Sequence, residues 1–211
     1  MRHRLDGQRL DDVVRELKRT AGELNASVDR AKRMGDELTR EVEEAGRAHE
    51  LSASLYVQLE RLHRSLKLRD VVAAIGESLA NLIGTEDFAL FVRDEGSGRF
   101  YPLHAVGAGL AAVDFAPGEG ALGETVAARQ LRWGDPPALA PLLDGGGRAV
   151  GLIAVLGLLA HKGSLDRRDR TLIEVLAAHA GVALEAALCA AAGPPTWRID
   201  RMRQLLEGDG S

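Results

Sequence analysis

A seven-residue hydrophobic repeat runs through the first third of this 211-residue chain, and no proline interrupts it before Pro102. Leu10, Leu17, Leu24, Ala31, Leu38 and Ala45 recur at that spacing, and Val14, Ala21, Val28 and Val42 follow members of the series by four. This pattern keeps one narrow apolar stripe on a helix, the seam of a coiled coil. Between the apolar positions the charges alternate in sign, as in Arg15, Glu16, Lys18 and Arg19, and again in Asp36, Glu37, Arg40 and Glu41. Such a surface is solvated, so the seam needs a partner helix to be buried. A parallel homodimer is the simplest source. Folding back onto the rest of the chain is the alternative, but a stripe this long outreaches a domain of ordinary size. Near residue 48 the phase shifts, and Leu51, Leu55, Leu59, Leu62 and Leu66 carry the stripe on a displaced register, as at a stutter. Gly35 falls on the seam and, with Gly22 and Gly46, softens the helix by about 1 kcal/mol each relative to Ala. Residues 1–67 are assigned to this coiled-coil helix.

Aromatic residues make up only 4% of the chain against 45% apolar residues in all, so any core is built from small aliphatic side chains. The formal net charge of −4 is modest and the basic residues are scattered, which argues against nucleic acid as a partner. The opening residues lack the apolar run of a signal peptide or membrane span, so a cytoplasmic protein without membrane insertion is expected. Cys189 is the only cysteine, which excludes an intrachain disulfide and cysteine-rich metal sites. In its Ala-rich surroundings it reads as a small buried hydrophobe, with an intermolecular disulfide as the alternative. The six histidines show no pair at metal-ligand spacing, and no Ser/His/Asp or paired-carboxylate constellation can be assembled. No catalytic residue, metal site or cofactor is therefore expected. Ala48-His49-Glu50-Leu51 is similar to the phospho-acceptor box of sensor histidine kinases, but the usual Thr-Pro and the ATP-binding boxes do not follow, and it reads as a chance match on a polar helical face.

From Leu68 the pattern changes. Asp70 can cap a helix through Val71, Val72, Ile75, Leu79, Leu82 and Ile83, which Gly84 can end. Residues 88–93 and 99–107 form a hairpin across Asp94-Glu-Gly-Ser-Gly98, and a short extended piece lies at 113–115. Pro117-Gly-Glu-Gly-Ala-Leu-Gly-Glu-Thr-Val126 leads into a short helix and an extended Leu131-Arg-Trp133. A second hairpin joins 139–143 to 149–159 across Asp144-Gly-Gly-Gly147, and Asp166 caps a long helix to about Ala190, with Asp169 in its first turn. Gly118-Glu-Gly-Ala-Leu-Gly123 also fits a dinucleotide fingerprint, with Asp135 or Asp144 as the distant acid. That reading needs a long crossover helix where residues 124–130 supply under two turns.

This order of elements, with the strings Leu82 to Phe91, Gly118/Gly120/Gly123, Ala149 to Leu156 and Leu165-Asp-Arg-Arg-Asp169, resembles a GAF domain over residues 68–190. The resemblance implies an α/β (α+β) fold of GAF/PAS-like type: an antiparallel sheet flanked by helices. In ligand-binding members the small molecule lies on the sheet under the segment between the middle strands. Here that segment, Gly134 to Pro141, is short and stiffened by Pro136 and Pro137. The motifs of cyclic-nucleotide-binding, bilin-attaching and methionine-sulfoxide-reducing relatives are missing. Tyr101, His104, Glu124 and Trp133 are the groups that could face a pocket. The long C-terminal helix carries two apolar stripes, one through Ile173, Leu176, Ala180, Leu184 and Ala187, the other through Leu172, Val175, His179, Val182 and Cys189. In the tail, residues 191–211, Thr196 can cap an amphipathic helix whose Trp197, Met202, Leu205 and Leu206 could dock on a partner or back onto the domain. The expectation is a dimeric, non-enzymatic signalling module whose output passes through a separate protein, with a small ligand open; a purely structural scaffold is the alternative.

Overall fold

The computed structural model describes residues 2–107, 109–160, 162–192 and 197–207, with side chains described from Arg15 onward except at Leu51 and Ala192. Residues 1–54 and 55–211 form two compact units. The first unit belongs to α1 (Arg2–Arg64), an uninterrupted helix. Leu17, Leu24, Val28, Leu38 and Val42 are 64, 65, 44, 61 and 64% exposed. Five seam side chains on one stripe are thus open to water, while the side chains of Leu10 and Val14 lie outside the described residues. His49 is exposed as well.

The second unit begins with the last turns of α1. Leu62, expected on the dimer seam, is 1% exposed here and belongs to the core of this unit, so it cannot also serve a seam. Arg61 pairs with Glu77 at 2.8 Å across the neighbouring helix. Leu55 and Leu59 are half-buried and Leu66 is 60% exposed. After a break at residues 65–67 comes α2 (Leu68–Ser78), whose Leu68, Val71, Val72 and Ile75 are buried on one face. Asp70 does not cap it. Lys67 holds that position without a side-chain bond, and Asp70 sits in the first turn, accepting a hydrogen bond from the Ser65 hydroxyl at 2.6 Å. The helix closes in a π-helical turn, Leu79–Ile83, and Gly84 ends it in the left-handed conformation at φ 72°.

The strands β1 (Asp87–Arg93), β2 (Phe100–Val106), β3 (Arg132–Trp133), β4 (Ala138–Leu143) and β5 (Ala149–Gly157) form one sheet in the order β2-β1-β5-β4-β3, every pair antiparallel. Asp94 and Asp144 fold their hairpin turns by accepting backbone N–H groups, from Gly96 and Ser97 and from Gly146 and Arg148 respectively. Alternation sends Ala89, Phe91, Phe100, Leu139, Leu152 and Ala154 to one face, with Phe115 and with Val126 of α3 (Gly120–Ala128). Phe88, Leu90, Val92, Ala138, Ala140, Leu142, Ile153 and Val155 point to the other, where α4 (Arg167–Ala192) lies across β4 and β5. Both faces are buried, which makes the domain three-layered.

In α4, Ile173, Leu176, Ala180, Leu184 and Ala187 are buried as the first stripe requires, whereas the second divides: Leu172 is buried, Val175 and Cys189 are half-buried, and His179 and Val182 are exposed. By length and composition α4 could cross a membrane, yet more than half of its apolar window is buried in the domain, the mark of a core helix. Its start is fixed by reciprocal bonds, the Asp169 N–H to Asp166 Oδ1 at 2.8 Å and the Asp166 N–H to Asp169 Oδ2 at 2.9 Å. This satisfies two groups that a helix start otherwise leaves unpaired. Asp166→Ala is expected to lower stability by about 1 kcal/mol in urea unfolding.

Gly181 lets α4 approach the sheet. A Cβ there would stand 2.6 Å from the Leu143 nitrogen and closer still to its carbonyl oxygen. Backbone cannot move aside as a side chain can, so Gly181→Ala should lift the helix from β4. A net loss of about 2 kcal/mol is expected by chemical denaturation, against the roughly 1 kcal/mol that helix propensity alone would add.

Candidate functional site

The register of the sheet decides which of the four pocket candidates meet. Tyr101 pairs with Val92, His104 with Leu90 and Trp133 with Ala138, so all three side chains belong to the α4 face and not to the face covered by α3. His104 packs its half-buried ring on Phe88 at 5.8 Å, and Arg170 of α4 stands over the Trp133 ring at 5.4 Å. Glu124 is on the other side of the sheet, exposed on α3, in an ion pair with Arg132 at 3.3 Å. The four therefore line no common cavity. A β-bulge between Leu90 and Phe91 shifts the β1–β2 register by one residue, and side-chain spacing in the sequence carries no trace of it.

The glycine loop does backbone work. Gly118 and Gly120 have φ of 86° and 62°, and a Cβ on Gly123 would stand 3.0 Å from the Gly118 nitrogen and closer still to the Ala116 oxygen. The Gly118 N–H donates to the Gly123 carbonyl at 2.8 Å, so the loop closes on itself and launches the nine-residue α3. The following strands are antiparallel, which removes the dinucleotide reading. The segment expected to cover the sheet is instead a four-residue hairpin loop, residues 134–137, which joins β3 to β4 at the sheet edge. Beneath α3 the sheet face is filled by stacked rings, Phe100 on Phe115 at 5.2 Å and Phe91 edge-on to Phe115 at 5.1 Å.

A group that spacing could not reveal lies at one end of this face. Arg93 from the end of β1, Arg129 after α3 and Arg148 before β5 line a cavity of about 140 Å³ together with Phe100, Pro117, Val126, Ala127 and Ala149. Arg148 is held by Glu95 at 2.9 Å and Asp144 at 3.1 Å. Burial works against its charge, but the bond to Asp144 and the charges of Glu95, Asp144 and Glu185 outweigh burial and raise its pKa further. Burial likewise pushes the Asp144 carboxyl up, and its bonds from Arg148 and Gly146 overcome this and hold it below the ordinary aspartate value.

The tail is part of the same neighbourhood. Trp197 and Met202 of the α5 segment (helix Ile199–Glu207) are each 1% exposed, so both are buried within the chain and unavailable to a partner; Leu205 and Leu206 are half-buried. Thr196, the expected cap, lies outside the described residues. The Arg148 guanidinium stands 5.7 Å from the Trp197 ring, the Trp197 carbonyl accepts the Glu95 N–H at 3.1 Å, and Asp94 Oδ2 accepts the Ile199 N–H at 2.8 Å.

No protein-family model and no curated protein sequence matches the chain. Solved structures do. The GAF domain of an Acinetobacter phosphoenolpyruvate-protein phosphotransferase has a TM-score of 0.57 at 12% identity, over 67% of this chain and 96% of that one. The GAF domain of a phosphoenolpyruvate-protein phosphotransferase from Coxiella burnetii gives 0.55 at 16% identity, over 69% and 98%. A fragment of a methyl-accepting chemotaxis protein gives 0.52 at 20% identity, over 64% and 99%. At these identities the likeness is one of fold, and together with the antiparallel sheet, the glycine loop and the capped C-terminal helix it makes the globular part of this chain a GAF-like domain.

Proposed function

We propose that this chain is a dimeric, non-enzymatic regulatory protein of the cytoplasm. Its N-terminal helix pairs with that of a second copy, and its GAF-like domain acts as a sensory module for a small ligand or a protein, relaying to a separate partner protein through the coil. The observation that carries the reading is the open seam. Leu17, Leu24, Val28, Leu38 and Val42 are 44–65% exposed on a helix with solvated flanks. An apolar stripe of that length is stable in water only when another helix covers it. Val at one set of seam positions and Leu at the other is the choice that favours two parallel strands. The sensory half rests on the fold shared with GAF domains of phosphotransferase proteins and with a fragment of a chemotaxis protein.

A purely structural scaffold is the second reading. The reduction of the expected lid to a hairpin loop and the stacked rings beneath α3 favour it, because the rings leave little room for a ligand at the centre of the face. Native mass spectrometry of the full chain separates the two. A dimer that retains a small molecule supports the sensor, an empty dimer supports the scaffold, and a monomer contradicts both.

A further inference from the structure

We infer that the cavity between Arg93, Arg129 and Arg148 binds a small oxyanion, a carboxylate or phosphate group on a compact molecule. This rests on the ligand-sensing half of the proposed function and gives it a chemical class. Three observations converge. First, the Arg93 Nε is buried and has no hydrogen-bond acceptor, and Glu95 Oε1 at 3.9 Å is beyond hydrogen-bond reach. Among the described residues the Arg93 charge is thus met only by this long pairing with Glu95, and the closed Nε is not itself an atom that a ligand in the cavity can reach. Second, Arg129 has φ 55° and is the one non-glycine residue in the left-handed region among the described residues. It caps α3 through its N–H to the Thr125 carbonyl, a position that favours glycine. An arginine held there keeps a cation in a strained backbone conformation where glycine would be relaxed. Third, the rest of the lining is largely apolar, formed by Phe100, Pro117, Val126 and Ala149, so the guanidiniums are the groups there that can meet a ligand's charge.

The acidic neighbours gather on two of the three arginines. Glu95, Asp144 and Glu185 act on Arg148 and Glu95 also pairs with Arg93 at 3.9 Å, whereas Arg129 is exposed and has no acid partner among the described residues. The last turn of α3 contributes Val126 and Ala127 to the same lining, and Arg129 stands at the negative pole of the helix and offsets it. Planar guanidiniums suit the oxygens of a carboxylate or phosphate, which they can grip with two parallel bonds. Size narrows the ligand. A cavity of about 140 Å³ has the room of roughly four or five waters at about 30 Å³ each, below the roughly 300 Å³ at which pockets for larger organic ligands begin. The enclosed room matches an inorganic phosphate or a short dicarboxylate rather than a whole nucleotide.

The test is calorimetric titration of the full chain with inorganic phosphate and, separately, with malonate, at low ionic strength against a chloride control. Saturable binding at one site per chain is expected for at least one of them, and the tighter of the two identifies the oxyanion. Arg129→Gly relieves the left-handed backbone, so it should fold and melt no lower than the parent, yet bind roughly tenfold more weakly for want of one charge-assisted contact. Arg93→Gln should weaken binding to a similar degree. Saturable heat from neither anion, or an Arg129→Gly chain that binds like the parent, would overturn the inference. Light scattering on the same samples keeps this distinct from dimerisation: a dimer that binds neither anion sinks the anion site alone, and a monomer sinks the proposed dimer.

Discussion

The chain carrying Leu24→Glu and Leu38→Glu is expected to sediment as a monomer at concentrations where the parent sediments as a dimer. Both leucines are exposed along the single helix, at 65 and 61%, and lie two heptads apart on one stripe. In a parallel pair each faces its own copy, so one substitution removes two buried leucines and sets two carboxylates against each other. Burial of a leucine contributes about 1.5–3 kcal/mol. Loss at even one layer therefore amounts to about 4 kcal/mol per dimer, close to a thousandfold in the dissociation constant. The folded GAF-like domain should be untouched, since neither residue belongs to the unit of residues 55–211. Circular dichroism of the variant would check this, because the melting of the domain should persist while the helical signal of the first third falls.

Trp197→Ala is expected to destabilise the domain by about 4 kcal/mol, the largest effect we expect of a single core substitution outside the helix. Trp197 is 1% exposed, and around it close Arg148, the Glu95 backbone and the Asp94 carboxylate that receives the Ile199 N–H. Urea unfolding followed by circular dichroism measures the loss. The same anchor is expected to make the tail pH-dependent. Burial pushes the Asp94 carboxyl up, but the hydrogen bonds from Ile199 and Ser97 and the nearby Arg198 outweigh burial and hold it below the ordinary aspartate value. A depressed carboxyl stabilises the fold fully above its unfolded pKa of about 3.9, and that contribution is lost as pH falls through the lower folded value. Progressive weakening of the α5 anchor is expected as pH falls from the unfolded value of about 3.9 through the lower folded one, seen as a red shift of Trp197 emission. Asp94→Asn should remove this pH dependence.

The elements of the domain were legible because their signals are local. Asp94 to Gly98 and Asp144 to Gly147 mark hairpin turns by chemistry, Gly84 marks a helix end, and Asp166 with Asp169 marks a helix start, all where the structure has them. The faces of the sheet were not legible. β1 and β5 are buried on both sides, so apolar and polar residues do not alternate and nothing in the strand says which side α3 covers. That Tyr101, His104 and Trp133 share the α4 face, with Glu124 on the other side, is accordingly set by register alone. Arg93, Arg129 and Arg148 come from three segments joined only by the fold, and the Asp94–Ile199 bond spans 105 residues, so neither could be read from spacing. Leu62 shows the limit of the heptad itself: the stripe continues on paper, while its side chain is already in the domain core.

Cross-linking tests the parallel dimer most directly. In a Cys189→Ala background that removes the native thiol, Leu24→Cys and Leu38→Cys are prepared as separate chains and oxidised mildly. Facing seam positions of a two-stranded parallel coil bring the paired Cα atoms within the roughly 4.4–6.8 Å that a disulfide requires. Each chain is predicted to form a covalent dimer with itself in high yield, at both positions. Chains that remain monomeric at both positions would contradict the account.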